Sequence, residues 1–170
     1  MTSRYVKPTF AILAALALSL AFAARTIAAP AAGLNWEVHG TGSGGVNLLT
    51  GGGGSSGPAM SQYIGNGMYS VTLNPPVFFS SNGAGGVATG VCDVVTGTGS
   101  VTAANGDTIS FATVGMLCNE SDATSPFHYN GTYRITAGSG RFAGVAGGGS
   151  LTVTFGSTNF IKIDGTITGI

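Results

Sequence analysis

The chain has 170 residues, with six Lys and Arg, six Asp and Glu, two His and 30 Gly. Arg4, Lys7 and Arg25 precede residue 30 while every acid follows it, so residues 30–170 carry three positive and six negative charges, a net of minus three. Arg134, Arg141 and Lys162 are scattered along that stretch, which excludes a nucleic-acid binder, whose cations cluster.

Arg4 and Lys7 lead into an apolar run from Phe10 to Ala24 that Arg25 ends. A charged start followed by such a run is the pattern of a secretory signal peptide. The run falls short of the roughly 20 residues a spanning helix needs. Small residues at Ala21-Phe22-Ala23, Ile27-Ala28-Ala29 and Ala29-Pro30-Ala31 place the cut between 23 and 31. The expectation is a leader over 1–29 and one domain over 30–170, exported to the periplasm or released, and not embedded in a membrane. About 140 residues is one ordinary domain.

Beyond residue 30, apolar and polar residues alternate with a period of two, the mark of strands with one buried face. Leu34, Trp36 and Val38 alternate with Asn35, Glu37 and His39. Tyr69, Val71 and Leu73 alternate with Ser70 and Thr72. Asn105-Gly106, between Val101–Ala104 and Asp107–Phe111, predicts a hairpin on a two-residue turn, because Asn-Gly tolerates positive φ at both central positions. In that register the two cysteines, Cys92 and Cys118, miss each other by one residue. A bulge at Gly97 or Gly99 would bring them opposite. In an exported chain they are expected to form a disulfide, with no Cys-x-x-Cys spacing for redox work.

Further along, Phe127, Tyr129, Tyr133 and Ile135 fall on one face and His128, Asn130, Thr132 and Arg134 on the other. The glycine cluster from Gly138 to Gly149 has the wrong spacing for a dinucleotide fingerprint and no Gly-Lys-Ser/Thr of a nucleotide loop, so no cofactor is expected there. Leu151, Val153 and Phe155 alternate with Thr152 and Thr154. No stretch after residue 30 keeps a helical period. About eight strands result, which must close into a barrel or pair as a sandwich to hide their edges.

Gly138-Ser139-Gly140-Arg141-Phe142-Ala143-Gly144 after Tyr133–Ala137, with Gly147–Thr152, Asp164–Ile167 and the upstream Gly97–Thr108, resembles the allene oxide cyclase barrel group. That group includes dirigent proteins and bacterial secreted members. The resemblance covers roughly residues 84–170 and, more weakly, Gly45–Gly51. It implies an eight-stranded antiparallel barrel and a homo-oligomer, a trimer in the plant members, and it carries no site residue across. Ala143, Gly144 and Val145 stand where dirigent proteins carry a further Arg, a departure from that chemistry.

Glu37 and His39 share a strand face, as an acid–base pair would, but it is the polar face, opposite Trp36 and Val38. His128 and Arg134 also share a polar face. Glu120, Ser121 and Asp122 read as a solvated loop. Two distant histidines and paired cysteines leave no set of metal ligands. Tyr69, Tyr129 and Tyr133 fall on the apolar face beside Trp36 and Phe111, where each hydroxyl needs a partner. That partner is either an interior group or a small apolar ligand in a cavity lined by Trp36, Tyr69, Phe111, Tyr129 and Tyr133. Three functions stay open: a barrel binding a small apolar ligand or a partner surface, a cyclase-type isomerase, and a structural protein with a filled interior.

Overall fold

A computed structural model describes residues 33–76, 90–120 and 127–170. The expected leader, with its cleavage region, and the polar residues Ser121 and Asp122 lie outside the described residues. Eight strands run in chain order: β1 (Leu34–Val46), β2 (Gly53–Ser61), β3 (Gly65–Leu73), β4 (Cys92–Ala103), β5 (Thr108–Asn119), β6 (Phe127–Gly138), β7 (Ala146–Phe155) and β8 (Asn159–Thr168). Each pairs antiparallel with the next, and β8 returns to β1 from Leu34↔Ile167 to Gly42↔Asn159, which closes the barrel. Closure leaves no edge strand exposed. The one helical element among the described residues is a single 3-10 turn at Gly140–Phe142 between β6 and β7.

Alternation sets the two faces. Trp36 and Val38 of β1, Tyr69, Val71 and Leu73 of β3, and Leu151, Val153 and Phe155 of β7 are buried inside. Phe127, Tyr129, Tyr133 and Ile135 of β6 are buried with them. An eight-stranded barrel has an interior about wide enough for side chains to fill it. Here glycine on one strand makes room for an aromatic ring from another. A Cβ on Gly99 of β4 would collide with the Phe111 ring of β5.

The cysteine pairing stands, but the route to it differs from the expectation. Cys92 pairs with Cys118 in register, and they are joined by a disulfide. The whole β4–β5 ladder, from Thr102↔Thr108 to Cys92↔Cys118, runs without a shift, so no bulge occurs at Gly97 or Gly99. The missing residue is in the loop. Gly106 N–H donates to Ala103 O at 2.9 Å and Ala103 N–H to Asp107 O at 2.8 Å, so Ala104, Asn105 and Gly106 form a three-residue connection. Of these three only Gly106 has positive φ, at 89°, and no non-glycine residue among the described ones does, which rules out the two-residue turn needing both angles positive. The described bulge is elsewhere, on β6, where the β5–β6 register shifts between Ser110 and Phe111.

Candidate functional site

The five aromatic residues expected to line a cavity are buried inside the barrel, and three of them pack against one another. The Tyr133 ring packs edge-on against Trp36, with centroids 5.8 Å apart, and against Phe111 at 5.6 Å. Trp36 Nε1 donates to Ser61 Oγ at 3.0 Å. Thr113 Oγ1 donates to Thr132 O at 2.7 Å, which spends its only proton. It therefore accepts from Tyr129 Oη at 2.6 Å. Tyr69 Oη shares a 2.7 Å hydrogen bond with Ser55 Oγ, which also accepts from Asn159 Nδ2 at 3.0 Å. Ser55, Asn159, Asp93 and Asn119 are buried polar groups near the barrel end at which β1, β3, β5 and β7 finish.

Tyr133 is the exception among these aromatics. Its hydroxyl is buried and has no hydrogen-bond partner among the described residues. It sits 2.8 Å from where a Cβ on Gly165 would be, so the ring tip occupies the space that glycine leaves on β8. Burial, with Asp164 adding to it, pushes the Tyr133 phenol up to about 12. Burial also raises Tyr69 and Tyr129, and in each the hydrogen bond to Ser55 or Thr113 opposes the rise.

Four ionisable residues cluster on the outside of β1 and β8. Glu37 Oε1 lies 3.0 Å from His39 Nε2 and 3.1 Å from Lys162 Nζ, and Lys162 Nζ lies 3.3 Å from Asp164 Oδ2. The Lys162 ammonium, then His39, hold the Glu37 carboxyl below its ordinary value, while Glu37 and Asp164 raise Lys162. All four are solvent-exposed or nearly so, a geometry worth little in stability. His128 lies 3.6 Å from Glu120, and Arg134 faces outward on β6. Among the described residues no group of three or more His, Cys, Asp or Glu is placed to hold a metal ion. No described helix is long and apolar enough to cross a membrane.

The remaining outer wall has a different character. β2, β3, β4 and β5 are four consecutive strands, half the barrel, and the one Asp, Glu, Lys, Arg or His in them is Asp93, which is buried. All three described methionines project from this half: Met60 is 65% exposed, Met68 55% and Met116 39%. Val94 and Val114 join Met116, and Val94 pairs directly with it across β4–β5. Between the two apolar corners run hydroxyls, with Ser56 opposite Ser70, Ser70 opposite Ser100 and Ser100 opposite Ser110. Along its β2 edge the wall borders a groove of about 500 Å³ that includes Pro58, Met60, Phe160 and Lys162.

Attention to ionisable and aromatic residues misses this surface. A signal for it was nevertheless present, because between residues 40 and 119 the chain contains only two charged side chains, Asp93 and Asp107. No family profile matches the chain, and neither does any curated protein or any solved structure.

Proposed function

We propose that this is an exported, non-catalytic β-barrel that binds a partner through the outer wall of β2–β5, with its interior serving as a packed scaffold. The observation that carries this conclusion is the four-strand wall with no outward charge and three exposed methionines. A well-behaved soluble surface is about 25–35% charged. Interface centres are depleted in charge and enriched in Met, whose flexible side chain adapts to a partner. The packed rings of Trp36, Tyr133 and Phe111 support the same conclusion, since their edges already meet.

Export is supported by Arg4, Lys7 and the apolar run to Ala24, and a disulfide suits an oxidising compartment. Membership of the allene oxide cyclase-like group is supported by the glycine motif quoted above together with an eight-stranded antiparallel barrel. Within that resemblance a second copy of the chain is one candidate partner.

The test is mild peroxide footprinting of the three methionines, comparing the protein in its native compartment with the purified mature chain. Met60, Met68 and Met116 should oxidise readily when purified and slowly in place. Equal rates in the two samples at all three methionines, with the purified chain monomeric in solution, would refute the proposal.

A second function, a small-ligand carrier or isomerase using the interior, is favoured by one observation, the unpartnered buried hydroxyl of Tyr133. A bound polar group would satisfy it.

A further inference from the structure

We propose that the trough across the outer face of β3, β4 and β5 binds a neutral polysaccharide, an inference that rests on the β2–β5 wall being the working surface. The trough holds about 300 Å³ and is lined by the hydroxyls of Ser70, Thr72, Thr98, Ser100, Ser110 and Thr136 together with Gly99 and Phe111. Ser70, Ser100 and Ser110 are cross-strand neighbours, and Thr72 pairs with Thr98 in the next row. Outward residues recur about every 4.8 Å across the strands and about every 6.7 Å along them. The hydroxyls therefore form a two-dimensional array on the scale of a sugar ring and its substituents.

The chemistry of the array selects its occupant. Each Ser or Thr hydroxyl donates one hydrogen bond and accepts others, the same capacity as a sugar hydroxyl. Thr102 and Thr108, beyond the trough, bond to one another at 3.0 Å. No side-chain bond among the described residues occupies the Ser70, Thr98, Ser100 or Ser110 hydroxyls. A phosphorylated or carboxylated ligand would need cations in the trough, and its lining contains none; the outward Arg134 of β6 lines the neighbouring pocket with Thr96, Ala112 and Thr113. A protein partner would need apolar anchors, and those, Met60 and Met68 on one side and Val94 and Met116 on the other, flank the trough. An uncharged polymer of repeating hydroxyls matches both the neutrality and the repetition. Individually weak contacts then add along one chain.

The test titrates the mature, disulfide-intact protein, by calorimetry, with neutral hexasaccharides of glucose, mannose, galactose, xylose and N-acetylglucosamine, and with a polygalacturonate oligomer as the charged control. At least one neutral oligomer should bind, with an affinity insensitive to added salt. The triple variant S70A/S100A/S110A should weaken it at least tenfold, and E37Q, on β1 and outside the wall, should leave it unchanged. Should the triple variant fail to fold, S100D, which puts a carboxylate in the middle of the array, should give the same loss. Preference for the acidic oligomer, or undiminished binding in the folded S70A/S100A/S110A variant, would overturn the assignment of the trough. If no neutral oligomer binds while the methionines stay protected in the native compartment, this inference fails and the working wall survives. If neither is seen, both fail.

Discussion

Replacing Tyr133 by Phe removes one oxygen that is buried without a hydrogen-bond partner among the described residues. A buried unsatisfied polar group costs about 1–3 kcal/mol. The ring stays in its edge contacts with Trp36 and Phe111, so the packing contribution is retained. Y133F should therefore stabilise the fold by about 1–2 kcal/mol, a rise in Tm of roughly 3–8 °C for a domain of this size. The pH arm has a definite sign. The folded phenol is pushed up to about 12 by burial, against about 10 in the unfolded chain, so the folded state keeps its proton longer. Stability tied to this group is whole below pH 10 and falls by about 1.4 kcal/mol per pH unit between 10 and 12. In Y133F that slope should be shallower. Urea unfolding as a function of pH measures both effects, and an unchanged m-value would show that the folded and unfolded states kept their extents. Destabilisation by about 1 kcal/mol or more would mean that the hydroxyl is satisfied, by ordered water or a bound molecule, and would favour the ligand-carrier alternative. Y129F is the internal contrast, since it breaks the 2.6 Å bond to Thr113 and should cost about 0.5–1.5 kcal/mol.

Gly99→Ala drives a methyl group into the Phe111 ring and should cost about 1–3 kcal/mol in chemical unfolding; a neutral result would mean that the interior is looser than described. Gly106→Ala must hold an alanine at the φ of 89° found at the end of the three-residue loop, so a loss of about 1–2 kcal/mol is expected. Replacing both cysteines by Ala opens a bridge spanning 26 residues, a loss of about 3.5 kcal/mol in the chain-entropy account, and reducing the wild type should produce the same change in midpoint. Glu37→Gln breaks exposed ion pairs with His39 and Lys162 and should leave Tm unchanged at neutral pH, so a clear drop would assign that cluster a structural role it lacks here.

Strand identity and facing were legible residue by residue. Side-chain direction along a strand depends only on the parity of position, so Trp36, Tyr69, Tyr129 and Tyr133 could be assigned to the inside without knowing any neighbour. The β4–β5 pairing was partly legible. Cys92 and Cys118 were correctly joined, but Asn105-Gly106 was assigned to a two-residue turn because the dipeptide tolerates that geometry without requiring it. The ladder between Gly97 and Thr113, formed far from the loop, decided that three residues would connect the strands.

The candidate surface was the least legible part. Each of Met60, Met68 and Met116 is unremarkable in its own segment, and they become one wall only because β2, β3, β4 and β5 are laid side by side. By itself the sequence determined an all-β chain, its two faces and its one covalent link, since those follow from local parity and from two cysteines. The eight-stranded barrel was what the family resemblance implied, and the structure has it; tertiary structure alone decided that Tyr133 ends beside Gly165 with no partner among the described residues, and that the uncharged strands form one continuous half of the wall. Those outcomes depend on which strands become neighbours, and adjacency is set by backbone hydrogen bonds between residues remote in the chain, which no local pattern encodes.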